Sequence, residues 1–236
     1  MPIDVKMEDH VAVLTLNEGE NRFNPDFLTK FLKALDDVEH ETKAGALVVT
    51  SGHEKIFSNG IDLEWLLPVM QKNDFPTSKK FIETMMTLFK RVLLFPIPTI
   101  AAISGHAFAG GAILSCYFDF RFMRSDRGFL CFPEVDLGIP FLPGMLAAMK
   151  RAVPRDVLDE MVITGKRMTA KECEQYRIIT KACPIESLLG DAVAFAKTLN
   201  KKRSTVAAMK LDLNKDIVYA LEHEDPPIIE SGRFYV

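Results

Sequence analysis

Two uncharged runs rich in β-branched residues, Ala46-Leu-Val-Val-Thr50 and Thr99-Ile-Ala-Ala-Ile103, constrain this chain more than any other feature. Each reads as a buried strand. Each is followed by a glycine-bearing loop that opens into a short helix, over residues 62–67 after the first run and to about Cys116 after the second. Upstream, Val11, Val13 and Leu14 to Leu16 mark a strand, and after a Gly/Asn-rich turn Phe27, Phe31, Leu32 and Leu35 recur at helical spacing. The polar stretch 71–78 reads as a flexible surface loop, residues 79–94 as a helix, and residues 120–123 and 129–132 as two further short strands. Repeated strand-strand-helix units with short connections predict a layered α/β architecture.

Beyond Pro140 helical periodicity dominates, with Thr169-Ala-Lys-Glu172 forming a capping-box pattern and residues 178–183 one late strand candidate. Residues 185–223 read as two helices, the second ended by Glu224-Asp-Pro-Pro227. The expected division is a core over residues 1–184 and a C-terminal helical module over residues 185–236.

Several function classes are disfavoured by composition. The 236 residues carry a net charge of -3, which offers no global attraction for nucleic acid or an anionic membrane. Cys116, Cys131, Cys173 and Cys183 form no C-x-x-C pair, so no metal site is expected and a reducing compartment is favoured. The first ten residues hold no apolar signal segment, and Arg233-Phe-Tyr-Val236 matches no C-terminal address. A cytoplasmic protein is expected, with peroxisomal or mitochondrial residence left open.

Three segments carry chemistry. In Ile56-Phe-Ser-Asn-Gly-Ile-Asp-Leu63 a glycine turn precedes a helix start and can aim backbone N–H groups at an oxyanion. Gly105-His-Ala-Phe-Ala-Gly-Gly-Ala112 does the same after a buried strand, and two such turns can together make an oxyanion hole. In Phe132-Pro-Glu-Val-Asp-Leu-Gly-Ile-Pro140 a carboxylate sits among apolar residues, where its pKa rises toward that of a base usable near neutral pH. Asp62 reads as a helix cap, Asp136 as a turn acid of open role, and His106 as structural.

In this order and at this spacing the three segments resemble the crotonase (enoyl-CoA hydratase/isomerase) superfamily, over roughly residues 11–211. The resemblance implies a crotonase-like spiral of repeated ββα units, an acyl-CoA thioester as substrate, and oxyanion donors at the backbone N–H groups of Asn59 and Gly110. It implies no cofactor, coenzyme A being part of the substrate, and a homo-oligomer, trimer or hexamer, built through the C-terminal helices. Hydratases of the superfamily use two glutamates. One matches Glu134, but the position of the other is Ile113, and the carboxylate that dienoyl-CoA isomerases use elsewhere falls at Leu142. One base suffices to move a proton from C2 to C4, so the chain is most similar to plant-type Δ3,Δ2-enoyl-CoA isomerases of unsaturated fatty acid β-oxidation. Ile113 and Leu142 would exclude water. Ser58 and Ile61 match adenine-pocket positions, and Arg22 and Lys55 are candidate phosphate contacts. The alternatives are a hydratase-like or other acyl-CoA enzyme of the superfamily, such as a thioesterase or decarboxylase, and a non-catalytic acyl-CoA-binding protein.

Overall fold

The computed structural model describes residues 3–232, so the C-terminal tetrapeptide considered above lies outside the described residues. Along the chain, strand-strand-helix units recur: β1 (Ile3–Glu8), β2 (Val11–Leu16) and α1 (Pro25–Glu41); β3 (Ala46–Ser51), β4 (Ile56–Ser58), α2 (Leu63–Gln71) and α3 (Phe75–Leu93). Then come β5 (Thr99–Ile103), β6 (His106–Phe108) and α4 (Gly110–Cys116), followed by β7 (Phe120–Arg124), β8 (Leu130–Cys131) and α5 (Glu134–Leu137). Helices α6 (Pro143–Ala152), α7 (Arg155–Thr164) and α8 (Ala170–Gln175) precede β9 (Lys181–Cys183). The chain continues through α9 (Ile185–Lys197), α10 (Arg203–Leu213), α11 (Lys215–Tyr219), a π-helical turn (Ala220–Glu224) and α12 (Asp225–Ser231).

The strands sort into two sheets. A six-stranded sheet runs β1-β2-β3-β5-β7-β9, parallel except for the β1-β2 hairpin, and a smaller parallel sheet runs β4-β6-β8. The sheets therefore take alternate strands of successive units, which is the spiral expected. Strand β3 is buried on both faces: Leu47 and Val49 join the main core, while Ala46 and Val48 pack toward Leu188, Ala192, Val193 and Ala196 of α9. Helix α9, just past the division expected at residue 184, thus covers the outer face of the large sheet.

Two local expectations are corrected. Most of the 71–78 stretch is helical, because the Asp74 side chain accepts the Thr77 N–H at 3.2 Å and Pro76 fits a first turn that needs no N–H. Only residues 72–74 separate α2 from α3. For the same reason Pro226 and Pro227 open α12 rather than ending the polypeptide's last helix, and the wider turn over Ala220–Glu224 absorbs the break in the bonding ladder. The helices expected over residues 185–223 are consequently shorter and more numerous. Asp62 caps α2 through the Trp65 N–H, and Thr169 and Glu172 form the expected reciprocal capping box. All four cysteines are free and buried. Among the described residues no helix is long and apolar enough to cross a membrane, and no group of three or more His, Cys, Asp or Glu side chains is placed to hold a metal ion.

Candidate functional site

Parallel pairing in the small sheet sets the C-terminal ends of β4, β6 and β8 side by side, and the three chemistry-bearing segments follow those ends directly. Glycine allows the first two to touch. Gly60 has φ +71°, and a Cβ there would lie 2.5 Å from the Gly110 nitrogen. Ala109 turns the chain into α4 with φ 48° and ψ −127°, a conformation that costs a residue with a side chain about 1–3 kcal/mol. Gly110 then begins the helix, so its N–H has no intrahelical partner, and none of the described residues supplies another acceptor.

The neighbouring turn is held from outside. Residues 20–23 lie against it, and Asn21, fully buried with φ 50°, donates from Nδ2 to Ser51 Oγ at 2.8 Å and to the Phe57 carbonyl at 2.9 Å. The Asn59 N–H donates to the Glu20 carbonyl (3.2 Å), the Gly60 N–H to Ser58 Oγ (3.2 Å) and the Asp62 N–H to the Phe23 carbonyl (2.9 Å). Ile61 N–H is left without an acceptor among the described residues. The N–H expected to be free at Asn59 is therefore already paired, and the free donor beside Gly110 is two residues later.

Both turns open on a cavity of about 270 Å³. Its walls are apolar: Leu63, Leu66, Leu67 and Met70 from α2, Met85 from α3, Ile113 from α4, Leu137 from α5, and Ile139, Pro140, Phe141 and Met145 beyond it. Asn59, Ile61, Ala109 and Gly110 bring backbone to it, and Glu134 is the one titratable side chain among its lining residues. Glu134 is the first residue of α5 and only 6% exposed, with Oε2 buried and unpartnered. Desolvation pushes its carboxyl up to about 7, a backbone hydrogen bond offsetting part of the rise.

The other candidate residues divide. Asn59, Ile61, Gly110, Ile113 and Glu134 meet at the cavity, whereas Ser58, Leu142 and Arg22 do not line it. Ser58 is fully buried; its hydroxyl donates to the Asn21 carbonyl at 2.7 Å and so builds the turn. Leu142 is fully buried at the head of α6, behind the wall. Arg22 is engaged by Glu20 at 2.7 Å and Glu64 at 3.0 Å, so a phosphate would have to compete with two carboxylates. Lys55 is exposed and Asp136 likewise, neither reaching the cavity. His106 packs its ring on Phe108 and Phe129, and burial, with Arg167 and Arg127 nearby, lowers its pKa. In the basic Lys201-Lys-Arg203 cluster, Arg203 caps the end of α1 through the carbonyls of Glu39, Thr42 and Ala44. The sequence reading missed Glu20, whose carboxylate also accepts Asn59 Nδ2–H at 2.9 Å; the Asn-rich loop around it was the available signal.

A family model described as Enoyl-CoA hydratase/isomerase matches residues 6–225. The chain belongs to this family. Within the enoyl-CoA hydratase/isomerase family it is 34% identical over 174 residues to the peroxisomal enoyl-CoA delta isomerase 2 of Arabidopsis thaliana, covering 72% of each chain. It is 33% identical over 215 residues to a putative enoyl-CoA hydratase of Thermus thermophilus, covering 90% of this chain and 81% of the relative. In fold it is similar to a crystal structure of a probable enoyl-CoA hydratase from Mycobacterium tuberculosis, with a TM-score of 0.90 at 23% identity, over 100% of this chain and 98% of the other.

Proposed function

We propose that this family member is a Δ3,Δ2-enoyl-CoA isomerase, moving the double bond of a 3-enoyl-CoA to the conjugated 2-trans position in unsaturated fatty acid β-oxidation. One observation carries the reading: Glu134 is alone among apolar residues, with Ile113 where a second carboxylate would be needed to position and activate water. The thioester oxygen is held by the Ile61 and Gly110 N–H groups, so negative charge that develops on it is stabilised by two fixed donors. Glu134 removes a proton from C2, the electron pair delocalises through the enolate onto C4, and the same carboxyl returns the proton at C4. Thioester, carbon skeleton and oxidation state are unchanged, so no cofactor enters the proposal. The apolar walls keep water from the dienolate until it is reprotonated. The same reading includes a homo-oligomer, trimer or hexamer, which light scattering on the purified protein would check.

The test is conversion of 3-hexenoyl-CoA to the 2-enoyl thioester by purified protein, with hydration of 2-hexenoyl-CoA measured beside it. Fast isomerisation with little hydration supports the proposal. Hydration at a comparable rate would make the protein a hydratase despite Ile113, and thioester binding without either reaction would make it a binding protein.

A further inference from the structure

The cavity wall formed by Ile139, Pro140, Phe141 and Met145 is clamped from behind at one residue. Gly144, between Phe141 and Met145, donates its N–H to Asp225 Oδ1 at 2.8 Å, while its carbonyl accepts the Tyr117 hydroxyl at 2.9 Å. Asp225 is the first residue of α12 and 1% exposed. No residue with a side chain fits at position 144 without displacing it, since a Cβ would meet Asp225 Oδ2 and Leu221 Cδ2, each at 2.6 Å. Tyr117 caps the end of α4, the helix whose first turns carry Gly110 and Ile113. Helix α12 is also tied to α3, the helix of Met85, by the Lys79–Glu230 ion pair at 2.9 Å. Gly144 thus links the wall and α4 to a C-terminal helix that does not line the cavity, and that helix is tied separately to α3.

Asp225 Oδ2 is buried with no partner, an arrangement that simple helix capping does not require and that leaves the clamp dependent on one oxygen. We propose that Asp225 is a positioning residue that, by holding the Gly144 peptide, sets which acyl chain lengths the cavity accepts. This rests on the acyl-CoA reading above. The wall between Phe141 and Met145 is fixed at the depth the clamp dictates, and releasing it lets Phe141 and Met145 move relative to α4. Chain-length discrimination is then lost before catalysis is.

The experiment is a binding series of saturated acyl-CoA thioesters, butanoyl to dodecanoyl, read by calorimetry on wild type, Asp225→Ala, Asp225→Asn and Tyr117→Phe. Asp225→Ala is expected to shrink the ratio between best and worst chain lengths by about tenfold, the scale of one buried charge-assisted hydrogen bond. Asp225→Asn keeps an acceptor oxygen and should retain the wild-type profile. Tyr117→Phe, which frees the same residue from its other side, should flatten the profile in the same direction and serves if Asp225→Ala does not fold. A wild type that binds these thioesters with a length preference that Asp225→Ala and Tyr117→Phe both leave intact overturns the positioning role alone. A wild type that binds none of them overturns the acyl-CoA reading as well.

Discussion

Glu134 and Asp225 are both buried carboxylates with one oxygen lacking a partner, and desolvation raises both, to about 7 and about 6. They differ in what lies in front of them. Glu134 faces a cavity flanked by two free backbone N–H groups, whereas Asp225 is closed over by Gly144 and Leu221. A raised pKa therefore reports desolvation, and it becomes chemistry only where there is space for a reacting atom and donors to hold the charge that results. The comparison favours the proposed roles, proton transfer for Glu134 and bracing for Asp225.

The largest effect that would break the comparison is at Glu134 itself. Glu134→Gln should reduce isomerase turnover by about 10²–10⁴-fold while thermal melting shows no loss of stability, because the amide removes a buried charge without changing shape. An undiminished rate would place the base elsewhere. Next is Gly60→Ala, which forces a side chain into a left-handed backbone and against the Gly110 nitrogen. Displacing one oxyanion donor should cost about 10²–10³-fold in kcat, with acyl-CoA binding much less affected.

A smaller effect separates the two acids by pH. Glu134 must be ionised to act, so kcat/KM should rise with pH through about 7. Stability should move the other way. Each acid keeps its proton in the folded state over a window where the unfolded chain has released it, from the ordinary value of 4.5 to about 7 for Glu134 and from 3.8 to about 6 for Asp225. Both contributions therefore fall as pH rises through those windows. Denaturant melts at several pH values should show Asp225→Asn removing the lower part of that slope while leaving the midpoint of the activity profile in place. The smallest effect belongs to Arg22→Ala, since the guanidinium is half-exposed and already paired with Glu20 and Glu64. Its loss should change stability by less than about 1 kcal/mol and leave KM for acyl-CoA within a factor of about two. A large rise in KM would instead return Arg22 to the phosphate site.

Much of this was legible in the residues. The uncharged runs at 46–50 and 99–103 identified the buried strands, because all but one side chain in each is apolar, and the caps at Asp62 and Thr169 were visible as local patterns. The apolar setting of Glu134 could likewise be read from its neighbours, as could the absence of a second acid at Ile113. The start of α3 was obscured by polar composition, and that of α12 by prolines that mark the first turn of a helix as readily as its end.

Local sequence determined the elements, the three functional segments and the one glutamate among them. Tertiary structure alone decided which N–H groups are left for a substrate. Asn59 and Ile61 lie in the same turn, and only the approach of residues 20–23 takes the first and spares the second. It also decided that Asp225, far along the chain, braces the wall that Met145 and Phe141 present to the cavity. A backbone donor carries no side-chain signature, so its availability depends on which distant segment packs against it, and that is a property of the fold.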